Sequence, residues 1–240
     1  MPTELTHLEI DGRQLAYRCR PGGSPTLLFL PGFASDMDGA KAVALDAFAQ
    51  ARGLAMLRFD YSGTGLSDGS FEEGTLDRWI GEALAMLDRL TEGPVIVVGS
   101  SMGGWVALHL ALQRPERVAA LVGIAAAADF TDWGFSAEQK AEVERTGRIG
   151  VEPVVTRGFW RSGQALRLLD APIAIDCPVR LIHGELDADV PLPIAYRLFQ
   201  QLRSADVQLT IVKGGGHRLS DAHEIATILR TAAGLLEPAL

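Results

Sequence analysis

A serine between glycines, an aspartate and a histidine stand far apart in this chain, yet each has a setting suited to acyl transfer. Ser101 is the centre of Gly99-Ser100-Ser101-Met102-Gly103, and the β-branched run Val95-Ile96-Val97-Val98 leads straight into it. A small-residue helical pattern follows at once. Strand, tight turn and helix in that order are the context in which Gly-x-Ser-x-Gly raises a serine hydroxyl above the end of a sheet. The glycines are needed because so strained a turn brings backbones too close for a Cβ. A serine hydroxyl is a weak nucleophile, so it needs a base for its proton and an acid to orient that base. Downstream, residues 178–184 read as a short buried strand giving way to the loop 185–191. Val207–Val212 reads as another strand, ending in Lys213-Gly214-Gly215-Gly216-His217. Asp187 and His217 therefore follow strand ends, as Ser101 does. In a parallel sheet those ends share one edge, where open α/β sheets bind their ligands. This pattern predicts Ser101 as nucleophile, His217 as general base and then acid, and Asp187 as the carboxylate that fixes the imidazole tautomer.

Each of these has neighbours of similar type. Asp189 is expected to cap a helix beginning near Pro191, and Glu185 lies nearer the strand end. His183 reads as structural and His223 as a surface or capping residue of a helix over 221–236. His109 packs on the helix after Ser101, and His7 lies in the amino-terminal strand region. Ser100 points away from Ser101 in this turn. A developing oxyanion requires donors aimed at it. The backbone N–H of Met102, at the positive end of the helix it opens, is one expected donor. The N–H of Phe33, after the strand 26–30 and the turn Pro31-Gly32, is the other.

The remaining elements must hold these groups. A chain of 240 residues can bury one large core, so 1–240 is read as one domain. Asp11-Gly12 between two alternating runs predicts a hairpin over 5–18. A helix over 39–51, the strand Leu54–Phe59, the helix Leu76–Leu90, a helix over 101–112 and the strand Val118–Ile124 follow. Alternating elements of this kind predict an α/β fold whose mostly parallel central sheet is flanked by helices. The glycine-rich loop 60–65 lacks phosphate-binding spacing and reads as structural. Between 129 and 176 the pattern breaks, and an insertion there is expected to lie over the catalytic edge as a small helical cap. Phe130, Trp133, Phe135, Phe159 and Trp160 fall in it, with Arg145, Arg148, Arg157, Arg161 and Arg167. Trp133, Phe159 and Trp160 are the candidates for an apolar substrate pocket. Each arginine is expected to solvate the outer face.

Composition narrows the classes of function. A net charge of −8 with no basic patch argues against nucleic-acid binding. No apolar run reaches transmembrane length. The start Met1-Pro2-Thr3-Glu4 lacks signal- or transit-peptide character, which points to a cytoplasmic location. Cys19 and Cys177 have no metal-ligand spacing and read as buried thiols of a reducing compartment, so no metal is expected at them.

Several longer stretches resemble a known family. Residues 35–42 (Ser-Asp-Met-Asp-Gly-Ala-Lys-Ala), Arg58-Phe59-Asp60-Tyr61-Ser62-Gly63, the elbow 99–105 and residues 121–130 are similar to the α/β-hydrolase superfamily. More narrowly, they resemble its mitochondrial palmitoyl-protein thioesterase and mycophenolic acid acyl-glucuronide esterase branch. Many relatives carry His-Gly where this chain has Pro31-Gly32; the donor is backbone, so the change leaves it in place. The resemblance implies a cofactor-free serine hydrolase of acyl thioesters or activated acyl esters, acting on a small molecule or an acylated protein. A carboxylesterase or lipase of small esters or glycerolipids, and a ligand-binding protein of the same fold without turnover, are the alternatives.

Overall fold

The computed structural model describes residues 3–151 and 153–236. Met1, Pro2, Glu152 and residues 237–240, parts of the expected domain, insertion and amino-terminal reading, lie outside them. Strands β1 (Leu5–Ile10) and β2 (Arg13–Arg20) pair antiparallel across Asp11-Gly12, whose φ angles are 48° and 77°. Positive φ at both turn residues matches the right-handed twist of the two strands, as the Asp-Gly pair predicts. Strands β3 (Gly23–Leu30), β4 (Leu54–Phe59), β5 (Val95–Ser100), β6 (Val118–Ile124), β9 (Val179–Gly184) and β10 (Val207–Val212) complete the main sheet. A separate two-stranded ribbon holds β7 (Arg148–Ile149) and β8 (Val155–Thr156). The eight-stranded order is β1-β2-β4-β3-β5-β6-β9-β10, antiparallel as far as β2–β4 and parallel beyond. Ser101, Asp187 and His217 therefore leave β5, β9 and β10 at the same edge.

Both faces of the sheet are covered, and the period-2 pattern of its strands shows how. Leu28, Leu30, Val95 and Val97 point to one core with helices α2 (Leu76–Leu90) and α3 (Met102–Gln113). Leu27, Phe29, Ile96 and Val98 point to the other with α1 (Ala40–Arg52) and α8 (Ala222–Gly234). Helix α3 is buried from Met102 through Ala111, which explains its lack of a polar stripe. Helix α7 (Leu192–Gln201) packs beside β9 and β10.

The segment between β6 and β9 holds three short helices: α4 (Phe130–Trp133), α5 (Ala137–Thr146) and α6 (Arg157–Ala165). It also holds the β7–β8 ribbon, where the sequence shows no β period. Two-residue strands are too short to display one. Asp129 anchors the segment: its carboxylate accepts from the N–H groups of Leu168 (2.9 Å) and Leu169 (2.7 Å).

Candidate active site

Ser101 has φ 55° and ψ −119°, a strained conformation for a residue with a Cβ. Packed backbone holds it there. Its N–H donates to the Ile124 carbonyl at 2.8 Å, and its carbonyl accepts from Gly104 (2.9 Å) and Ala127 (3.0 Å). A Cβ on Gly99 would lie 2.2 Å from the Gly103 carbonyl oxygen, and one on Gly103 would lie 2.1 Å from that of Leu30. Gly103 thus lets α3 start hard against the end of β3. That contact brings the 31–33 turn to the serine, so that a Cβ on Gly32 would lie 3.2 Å from Ser101 Cβ.

His217 Nε2 lies 3.1 Å from Ser101 Oγ, while Nδ1 lies 2.9 Å from Asp187 Oδ2 and 3.1 Å from Oδ1. An ionised carboxylate only accepts, so the proton belongs on Nδ1 and Nε2 is left free to accept from the hydroxyl. Asp187 has no exposed side-chain surface; it also accepts from Val190 N–H (2.8 Å) and Asp189 N–H (3.0 Å). Burial raises its pKa. The hydrogen bonds from His217 and Val190 outweigh that, and its carboxyl stays below the ordinary range.

Among the described residues, neither Met102 N–H nor Phe33 N–H donates within the protein. Phe33 lines the cleft in front of Ser101, and Met102 follows Ser101 directly as the first residue of α3. That cleft, about 710 Å³ and open to solvent, is lined by Ser101, His217, Gly32 and Phe33, and by Ser100.

The fold that carries these residues, a mostly parallel sheet flanked by helices, is matched by known proteins. Residues 25–149 match the family described as alpha/beta hydrolase fold. The chain belongs to that family. It is 40% identical over 238 residues to the human mitochondrial palmitoyl-protein thioesterase ABHD10, covering 95% of this chain and 78% of the relative. The solved mouse alpha/beta hydrolase domain-containing protein 10 superposes with a TM-score of 0.92 at 38% identity, covering 97% of this chain and 98% of the other. A chain from Agrobacterium vitis S4, assigned no more specifically than as a hydrolase, gives 0.91 at 36% identity, covering 99% and 100%. The names of the mammalian relatives place them in mitochondria, so the cytoplasmic expectation finds no support there. No helix among the described residues is long and apolar enough to cross a membrane.

The other expected residues of this α/β hydrolase fall in different places. Helix α7 begins with Pro191 at its N-cap and has no side-chain cap. Asp189 is therefore not the cap expected from the sequence; it lines the cleft. A proline that opens the helix needs no capped N–H of its own. Glu185 turns outward to Lys213 Nζ and Gly214 N–H. His183 is buried and donates from Nε2 to the Val190 carbonyl (2.9 Å), bracing the loop around Asp187. His109 donates likewise to Leu166 (3.0 Å), and His7 and His223 are exposed. Cys19, on β2 near the antiparallel end of the sheet, is exposed and Cys177 is half-buried, so neither is the buried thiol expected from the sequence.

Trp133, Phe159 and Trp160 do not line this cleft. Phe159 is 2% exposed and packs against Phe33, Trp79 and Phe130, with ring centroids 4.8, 5.5 and 5.7 Å away. The indole N–H groups of Trp133 and Trp160 donate to the carbonyls of Ala128 (2.7 Å) and Thr131 (3.1 Å). Phe159 thus packs the insertion against the 31–33 turn through Phe33 and against α2 through Trp79, while the Trp160 bond lies within the insertion. Arg148, Arg157, Arg161 and Arg167 bind Glu72, the Glu144 carbonyl, the Glu144 carboxylate, and Asp132 with Asp170.

The cleft wall contains residues that sequence reasoning left aside: Ser35, Asp36, Lys41, Pro153, Arg218 and Ser220. Two had a legible signal. Arg218 follows the histidine directly, and Lys41 is a cation in the first turn of a helix, against its dipole. Ligand atoms of Asp187, Asp189 and His217 lie within 4.8 Å of one another, a spacing that could hold a cation, although Asp187 and His217 are already paired.

Proposed function

We propose that this chain is a serine hydrolase that cleaves acyl thioesters or activated acyl esters through an acyl-enzyme on Ser101. The observation that carries the reading is the pair of contacts made by one imidazole: Ser101 Oγ at 3.1 Å on Nε2 and the buried Asp187 carboxylate at 2.9 Å on Nδ1. Ser101 Oγ attacks the acyl carbonyl as Nε2 takes its proton. The negative charge gathers on the carbonyl oxygen, where the N–H groups of Met102 and Phe33 and the start of α3 stabilise it. Collapse expels the leaving group, with His217 as proton donor when one is required. Water then gives its proton to His217, attacks the acyl-enzyme and releases the acid. Asp187 keeps the proton on Nδ1 and stabilises the imidazolium while it exists. The insertion 129–176 caps this edge of the sheet.

Thioesters suit such a site because a thiolate, whose conjugate acid has a pKa of about 8.5, leaves without much help. An amine leaving group would have to be fully protonated. The relatives named palmitoyl-protein thioesterase favour the same substrate class. The test compares S-acyl and O-acyl substrates of matched chain length on wild type and Ser101→Ala. Ser101-dependent turnover that is faster on the thioester supports the reading. Faster turnover of the oxygen ester moves it to a carboxylesterase, and tight ligand binding without turnover moves it to a binding protein.

A further inference from the structure

The loop that carries His217 begins with Gly214, Gly215 and Gly216, and its next fixed point in helical structure is the Asp221–Glu224 capping box of α8. Before the histidine, the loop is tied through Glu185, which accepts from Gly214 N–H, and through the Gly215 carbonyl, which accepts from Leu186. After the histidine, the Arg218 carbonyl accepts from Lys41 Nζ at 2.5 Å, and Leu219 turns inward with φ 43°. Among the described residues no backbone N–H donates to that carbonyl. Removing the lysine donor would leave that carbonyl to solvent and the loop after His217 without this tie to α1.

Lys41 stands on a well-anchored base. The preceding residues 37–38 are fixed by Met37 N–H donating to Asp60 (2.7 Å), by Arg58 donating to the Met37 carbonyl (2.7 Å), and by the ion pair of Asp38 with Arg18 (3.1 Å). The side chain itself is placed at some electrostatic cost. It lies in the first turn of α1, where no acidic residue offsets the helix dipole. Burial and the charge of Arg218 push its pKa down, against a weaker upward pull from Glu224. A residue held against these local preferences points to a task at the site.

We propose that Lys41 is a positioning residue, whose hydrogen bond to the Arg218 carbonyl fixes the His217 loop against the oxyanion-turn side of the cleft and so sets the His217–Ser101 distance. This rests on the reading of Ser101 and His217 as nucleophile and base. Lys41 touches neither; it acts through the backbone of the residue next to the histidine. An offset of about 1 Å at the base is enough to cost on the order of a hundredfold in rate.

The test compares Lys41→Met, which keeps the aliphatic stem and loses the donor, with Lys41→Arg, which keeps a donor. The readouts are kcat and KM on a neutral acyl thioester, the rate of Ser101 labelling by a fluorophosphonate, and Tm. We expect Lys41→Met to lower kcat and labelling rate about tenfold or more, with KM within about twofold, and Lys41→Arg to recover most of both. Lys41→Met that labels and turns over at the wild-type rate overturns the proposal. So does a rise in KM at unchanged kcat, which would make Lys41 a substrate contact. Should Lys41→Met fail to fold, Lys41→Gln, too short to reach the carbonyl but polar at the same site, is read by the same split. Wild type that labels away from Ser101 overturns the reading of the site, and the positioning role with it. Normal wild-type labelling with an unaffected lysine variant overturns the positioning role alone.

Discussion

Ser101 and His217 approach to 3.1 Å, yet the two are held in different ways. The serine stands on a turn whose neighbours are backbone atoms: the carbonyls of Ile124, Leu30 and Gly103 and the N–H groups of Gly104 and Ala127. The histidine stands on a loop with three consecutive glycines, and side chains from other elements hold it: Asp187, Glu185 and Lys41. Backbone sterics leave a local trace, because only glycine satisfies them. Side chains that reach across from distant segments leave none. The proposed nucleophile, fixed by sterics, and the proposed base, fixed by hydrogen bonds, should therefore fail differently when perturbed.

The largest expected effect is on the hydrogen-bonded side. Asp187→Asn replaces an acceptor-only carboxylate with an amide that can donate to Nδ1, so the tautomer is no longer fixed and kcat should fall by about 10⁴ while Tm shifts little by comparison. Steady-state kinetics check this, and a loss confined to Asp189→Asn would show the wrong carboxylate has been assigned. On the serine side, the effect should appear in folding. A Cβ on Gly103 would lie 2.1 Å from a backbone oxygen that cannot yield cheaply, so Gly103→Ala should cost about 3 kcal/mol or more, or prevent folding. Denaturant titration measures it; near-wild-type stability would show that the elbow can relax.

Acid should weaken the two sides unequally. Asp187 has a lower pKa in the fold than its ordinary value of 3.8, so the unfolded chain binds the proton more readily. Its contribution is present above about pH 4 and fades as pH falls through the folded value. Asp187→Asn should thus show a flatter loss of stability with acid than wild type, as followed by Tm below about pH 5. An unchanged slope would mean that other carboxylates dominate acid unfolding. The smallest effect is expected at Gly216, where a Cβ would meet nothing within 4 Å and φ is not positive. Gly216→Ala should move stability by about 0.5 kcal/mol or less. A loss as large as that at Gly103 would erase the contrast between the two sides.

The same division explains what could be read from the sequence. The strands and helices flanking Ser101, Asp187 and His217 were legible because each carries a periodic apolar face, and Asp11-Gly12 was legible because few residue pairs accept two positive φ angles. The approach of Ser101, Asp187 and His217 followed from topology: strands β5, β9 and β10 end at one edge. The role of Asp189 was misread because a short polar residue before a helix resembles a cap, whereas Pro191 takes that position. The insertion was harder still. Its aromatics give no period that separates a pocket wall from packing, and in the structure Phe159 is packed under Phe33 while Trp133 and Trp160 are tied to backbone carbonyls. Lys41 lies 177 residues from the carbonyl it meets, too far for any local pattern to suggest the contact.

The most direct test of the central claim is the intact mass of the protein after exposure to a fluorophosphonate, taken on wild type and on Ser101→Ala with Tm as the folding control. A single adduct on wild type and none on folded Ser101→Ala is the predicted result. An equal adduct on Ser101→Ala, or none on folded wild type, would contradict the assignment of Ser101 as an activated nucleophile.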